Sequence, residues 1–385
     1  MQKRFLGDYE FIWGPVRKGV SESILYEFLS SGEELHDLNI TFGYKKRNTK
    51  SVLAEKSNLY EQIQTVERIS GLHAFSASLS YCLSAEDLLG LKGKIHENLQ
   101  LLRMFFAEAE RLRNHIENLS EITEATYIQV PSALYGYYAE MLKQLFLKFL
   151  NSRYLMGINT ISGFMKKLSL DDVKFILGSI KSIVCDVKEI IRKNIETKSH
   201  IDRLKTTGKI DMKAAKQFCS KGVVAKSAGI DIDLRKTKPY LLYGDIKLKN
   251  VELHDGDGFS RYMVRIEEIT QSLCILEYCM EMLKKNKFDN TSNYLMNRRD
   301  LDKIIMDSMK KGNTRKHGFG YVESSEGPIF CYVKDFDGHI FKKINLRYPF
   351  ESNYKLFTHG VKNTMMMDFN INEATYNFSV AAVDK

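Results

Sequence analysis

Arg68-Ile69-Ser70-Gly71-Leu72-His73, near the front of the chain, and Asn377-Phe378-Ser379-Val380-Ala381-Ala382-Val383-Asp384-Lys385, at its end, decide how these 385 residues are read. Within them Ser70 and His73 stand three positions apart, and so do Ser379 and Ala382. Taken as a donor set, these four offer one imidazole, two weak hydroxyls and a methyl group. Structural and catalytic metals normally take three or four protein donors, so no metal is expected here. The residue-level expectation for His73 is a ring hydrogen-bonded within a buried polar pocket.

Working outward, residues 9–52 alternate in short stretches, Tyr9-Glu10-Phe11-Ile12 and Leu38-Asn39-Ile40-Thr41-Phe42, bounded by Gly7, Gly14 and Gly43. That alternation predicts a small sheet. From about 57 to 200 apolar residues recur at three and four, as in Ile95, Leu99, Leu102, Phe106 and Ala109, and again in Leu142, Leu145, Phe146 and Phe149. This period predicts long packed helices. Val173, Ile176, Leu177, Ile180 and Ile183 continue it, with Ser169 and Asp171-Asp172 as a start signal. Further helices are expected at 211–220, 260–286 and 298–311. Gly318 to Arg347 reads as two or three strands, with Asp337-Gly338 a hairpin turn.

Composition bounds the function classes. The chain is long enough, and at 44% hydrophobic apolar enough, to bury a large core. No run approaches the roughly 18–20 apolar residues that span a bilayer. The start, Met1-Gln2-Lys3-Arg4-Phe5, has no apolar signal-peptide core. Six scattered cysteines without a C-x-x-C pair argue against a zinc ribbon or cluster site and for a reducing compartment. The net charge of +9 comes from short runs such as Lys45-Lys46-Arg47, Lys284-Lys285-Lys287 and Lys310-Lys311. No nucleic-acid-binding motif accompanies them, so solvated helix ends, or a face toward anionic lipid or an acidic partner, are expected rather than nucleic acid.

The two opening segments resemble the ligand motifs of the nickel–iron hydrogenase large subunit, R-I-C-G-x-C and D-P-C-x-x-C, with Ser70, His73, Ser379 and Ala382 at the four cysteine positions. Further blocks follow in the same order: Gly14-Pro15, Gly43-Tyr44-Lys45-Lys46-Arg47, Ser80 to Leu89, Glu108 to His115, Thr207-Gly208, Ser227 to Arg235, and Gly256-Asp257 with Arg261 and Arg265. Together they resemble the hydrogenase-like large subunit of NADH:quinone oxidoreductase (complex I) and the large subunits of energy-converting membrane-bound hydrogenases. The resemblance implies a mainly α fold with small terminal β-sheet elements (α+β), a hydrogenase-large-subunit-like helical bundle. It is expected as a single domain over 1–385, with β-containing ends at 9–52 and 318–385 around a helical core at 57–311.

The resemblance also implies a function. Electrons would come from iron–sulfur clusters in a small partner subunit and pass to a quinone or other acceptor at the vacated site. The chain itself would bind no cofactor and would sit peripherally on the cytoplasmic side of the membrane, beside antiporter-like membrane-arm subunits. The alternative is a scaffold or coupling subunit that has lost its redox centre. In complex I a histidine and a tyrosine grip the quinone headgroup; here Ser21 and Gly71 fall at or near those positions. His73 then becomes the candidate proton donor. Ser21, Ser70, His73, Tyr81, Ser379 and Ala382 are the expected cavity lining. Glu108, His115, Asp233, Arg235, Asp257 and Arg261 form a candidate charged network, either structural or proton-carrying.

Overall fold

The computed structural model describes residues 8–16, 23–310, 312 and 314–383. Ser21, an expected cavity residue, lies outside them, as do Asp384 and Lys385. The predicted front sheet is present as antiparallel strands Asp8–Trp13, Leu25–Ser31 and Glu34–Thr41. In the middle strand Tyr26, Phe28 and Ser30 are buried while their neighbours are half-buried, the two-residue period of a sheet with one face on a core. The C-terminal part of the chain closes this sheet: Thr364–Met365 pairs with Glu34 and Leu35.

The helical core is built on Glu97–Ala125, which His96 caps at its N-terminus and whose apolar positions are buried nearly all round. Gly258–Lys285, Gln129–Leu150 and Leu170–Ile195 surround it. Leu102, Phe106, Leu112 and Ile116 form the common core, each fully buried. Burying such a side chain contributes about 1.5–3 kcal/mol. Ser169 and Asp172 form the capping box that starts Leu170–Ile195, as their spacing signals.

A second antiparallel sheet, His317–Ser324, Gly327–Phe336 and Phe341–Arg347, packs on helix Ala74–Leu88. Gly318 and Gly320 let that strand meet the helix backbone. A Cβ on Gly320 would lie 2.1 Å from the Ser80 carbonyl oxygen. After Arg347 the chain is mostly helical, in Phe350–Gly360, Phe369–Tyr376 and Val380–Val383. The sequence reading places strands at 318–347 within a β-containing end at 318–385 and assigns nothing specific after Arg347. The buried set Tyr354, Phe357 and Val361 has the spacing of three and four that marks a helix.

Candidate functional site

The two opening motifs meet. Ser70 leads in extended backbone into the single 3-10 turn Gly71–His73, which feeds helix Ala74–Leu88. At the other end Asn377, in the left-handed region at φ 49°, stops helix Phe369–Tyr376 and turns Phe378 and Ser379 inward. Asparagine tolerates that conformation better than most residues. Ser70 Oγ then lies 3.3 Å from Ser379 Oγ. Arg47 fastens the pair from outside: its guanidinium donates to the carbonyls of Ile69 (2.6 Å), Arg68 (3.2 Å) and Ala381 (3.0 Å).

Ser70 and Ser379 form the floor of a cavity of about 750 Å³. Its walls carry the rings of Trp13, Tyr26, Tyr127, Tyr154, Tyr354 and Phe378, and the carboxylates Glu121, Glu124 and Glu373. Tyr26 donates its hydroxyl to Glu373. Glu121 lines the cavity with its side chain open to solvent there, and accepts a hydrogen bond from Asn118 at 2.7 Å. The cavity walls raise the Glu121 carboxyl from its ordinary value toward about 7, against the pull of that hydrogen bond, and its open face to solvent moderates the rise. A carboxyl poised there can hold or release a proton near neutral pH.

The expected lining is reached in part. Ser70 and Ser379 line the cavity, whereas His73, Tyr81 and Ala382 do not. His73 is 1% exposed behind the floor, its Nδ1 3.4 Å from Ser70 Oγ and its Nε2 3.4 Å from Ser325 Oγ. Burial lowers its pKa to about 4, so the ring is neutral at pH 7 and a poor proton donor. Tyr81 points the other way, donating to Gln62 Oε1 at 2.8 Å and packing edge-on to Phe341. Ala382 is buried beneath the tail.

The charged residues separate into two groups. Glu108 accepts from Arg235 (2.9 Å), Tyr243 (2.7 Å) and Ser272 (2.6 Å). Arg235 also grips Asp233, with contacts of 3.0 and 2.8 Å. Lys226, absent from the expected set, bridges Asp233 (2.8 Å) to Glu268 (2.5 Å). Glu268 in turn meets Arg111 at 2.7 Å and His115 at 2.8 Å. Burial alone would raise the Asp233 pKa, but Arg235 and Lys226 outweigh it and hold the carboxyl well below the usual range.

Asp257 and Arg261 stand apart from this network. Asp257 caps helix Gly258–Lys285, accepting from Ser260 N at 2.8 Å. Arg261 instead fixes backbone, donating to the carbonyls of Gly208 (3.1 Å) and Gly256 (3.0 Å) and to Asn372 Oδ1 (3.1 Å). Arg265 pairs with Glu326 at 2.6 and 2.9 Å. It does not pair with Glu267, because positions two apart on a helix do not face each other. Glu326 also accepts from Asn377, tying this pair to the cavity wall.

Sequence reasoning did not single out Glu121, Arg47 or Lys226 as functional. Glu117, Glu121 and Glu124 repeat at four and three on one helix, a spacing that places them on a common face. Nothing local marks Arg47 as a clamp, since its acceptors are carbonyls brought together by the fold.

The chain belongs to the family of the respiratory-chain NADH dehydrogenase 49 kDa subunit, whose model matches residues 136–385. It is 25% identical over 362 residues to the fused C/D polypeptide of NADH-quinone oxidoreductase from a Sulfurihydrogenibium species, covering 91% of this chain and 60% of that protein. It is 24% identical over 281 residues to the carbon monoxide-induced hydrogenase of Rhodospirillum rubrum, covering 71% of this chain and 76% of that one. The chain thus spans about 60% of the length of the first of these relatives. Its fold matches a chain of the membrane-bound sulfane sulfur reductase, an archaeal respiratory membrane complex, with a TM-score of 0.85 at 19% identity over 98% of this chain and 99% of that one. The mainly helical α+β architecture expected from the sequence is therefore the family fold.

The hydrogenase side of this kinship raises the question of a nickel–iron centre. Ser70, His73, Ser379 and Ala382 supply no thiolate, so the donor set does not fit one. Among the described residues no group of three or more His, Cys, Asp or Glu side chains is placed to hold a metal ion. Among them, too, no helix is long and apolar enough to cross a membrane.

Proposed function

We propose that this chain is the large subunit of a membrane-associated, multisubunit oxidoreductase, and that its cavity receives the terminal electron acceptor without a metal. The carrying observation is the meeting of Ser70 and Ser379, 3.3 Å apart, on the floor of an aromatic-walled cavity. In this reading a small partner subunit supplies electrons from its iron–sulfur clusters, and antiporter-like membrane subunits complete the assembly. A quinone or similar acceptor takes two electrons from those clusters and two protons to become the reduced, dihydro form. Glu121 delivers one of these protons at the cavity wall, in place of the shielded His73, and water at the cavity's open side delivers the other. The aromatic walls hold the acceptor flat, so that transfer is not lost to misalignment.

Replacing Glu121 with Gln in the intact complex keeps the side chain's shape and removes its proton. Acceptor reduction is expected to fall by about 10²–10⁴, the range typical for loss of a positioned proton donor. Unchanged turnover would remove Glu121 from the mechanism. An assembled complex with no acceptor reduction in the native form would make the chain a scaffold or coupling subunit. One nickel per chain in the purified complex would overturn the metal-free reading.

A further inference from the structure

The chain carries a net charge of +9, yet the cavity at Ser70 and Ser379 has the opposite sign. Glu121, Glu124 and Glu373 line it, and among the described lining residues there is no Lys, Arg or His. Nearby cations are kept behind the walls. Arg203 stands 5.5 Å from the centre of the Tyr127 ring. Arg113 and Lys143 stand 5.2 and 5.4 Å from that of Tyr154. None of the three lines the cavity. Tyr354 and Phe378 stack almost parallel, at 14°, and give the cavity a flat face. Aromatic faces carry negative potential, and beside carboxylates they attract cations and repel anions.

We infer that this cavity selects a planar aromatic molecule bearing positive charge and turns anionic acceptors away. The inference deepens the proposed function, since that reading is what makes the occupant an electron acceptor. The selectivity rests on the wall itself: rings to stack on, carboxylates held by Tyr26 and Asn118 to meet the charge, and, among the described lining residues, no cationic group to receive an anion.

Trp13 is the single tryptophan of the chain and stands in the cavity wall, so its fluorescence reports occupancy with no electron donor present. At pH 8, where Glu121 is ionised, benzyl viologen, an aromatic dication, should quench it saturably in the full-length chain. Anthraquinone-2,6-disulfonate, a planar dianion, should bind at least about tenfold more weakly, a ratio within reach of one or two desolvated cation–ring contacts. Glu121→Gln combined with Glu373→Gln should weaken the viologen by about tenfold and narrow the ratio. Glu124→Gln, at the exposed rim, should narrow it less and gives a second reading if the double variant does not fold. Disulfonate binding as tightly as viologen, or a ratio that no variant changes, would overturn the inference. Binding is read without turnover, so preserved selectivity in a complex that reduces no acceptor would sink the proposed reaction alone.

Discussion

Ser70 Oγ stands 3.3 Å from Ser379 Oγ although 309 residues separate them in the chain. The two segments that resemble the hydrogenase ligand motifs thus meet here through hydroxyls. What surrounds that floor is a set of rings and carboxylates.

Arg47 is the link that holds this floor closed, since it donates to carbonyls on both sides of it. Arg47→Ala should free the C-terminal tail at a cost of about 1–2 kcal/mol. Amide hydrogen exchange over residues 378–383 would then accelerate by about tenfold, with the helical core unchanged. Unaltered exchange in the tail would show that Arg47 is not its fastening.

Proton delivery should carry the signature of Glu121. Its carboxyl must be protonated to donate, and the cavity walls raise its titration toward about pH 7 while its open face to solvent moderates that rise. Turnover should therefore be flat below that pH and fall above it, and Glu121→Gln should abolish this limb. The sign for stability is the same. A carboxyl raised from 4.5 favours the folded state at low pH and loses that favour as pH rises toward 7. His73→Ala should cost on the order of 1–3 kcal/mol in stability through its lost buried contacts and change turnover far less than Glu121→Gln. The paired pH–rate profiles and melting curves decide between the two residues.

The buried network should answer to charge removal. Asp233→Ala leaves Arg235 and Lys226 without a shared counter-ion in a buried site, at an expected cost of on the order of 3–5 kcal/mol. Arg261→Ala should destabilise too, by stranding the carbonyls of Gly208 and Gly256. Denaturant midpoints measure both, and a loss of turnover with unchanged stability in either variant would instead favour a proton-carrying role.

Much of the fold was legible because it rests on local period. The spacing of Leu99, Leu102, Phe106 and Ala109 announced the central helix, and Ser169 with Asp172 announced the start of another. The meeting of the chain ends was legible only through resemblance, since no spacing encodes a contact across 309 residues. What stayed hidden depends on long-range partners. Arg265 finds Glu326, 61 residues away, rather than nearby Glu267. Lys226 gains its role from two carboxylates that other elements supply. His73 looked like a donor by residue type, and burial removed that capacity. Glu121 gains a cavity to face only once the fold brings Ser70, Glu373 and Phe378 beside it.

The close approach of sheet and helix is a further consequence that sequence period does not carry. Gly320→Ala would place a Cβ 2.1 Å from the Ser80 carbonyl oxygen and 2.5 Å from the Ser84 nitrogen. Backbone on both sides leaves little room to yield, so a loss of about 1–3 kcal/mol or more is expected. A denaturation midpoint equal to that of the native chain would show that strand and helix can part without cost.

The most direct test of the whole account is the rate of acceptor reduction by the intact complex carrying Ser379→Trp, which places an indole on the cavity floor and leaves the Asp233–Arg235 network unaltered in sequence. The account predicts a fall of about 10²-fold or more, because even a small displacement of a bound reactant costs that much, with assembly and partner cluster content unchanged. Native turnover in that variant would contradict it, and would place the electron acceptor elsewhere.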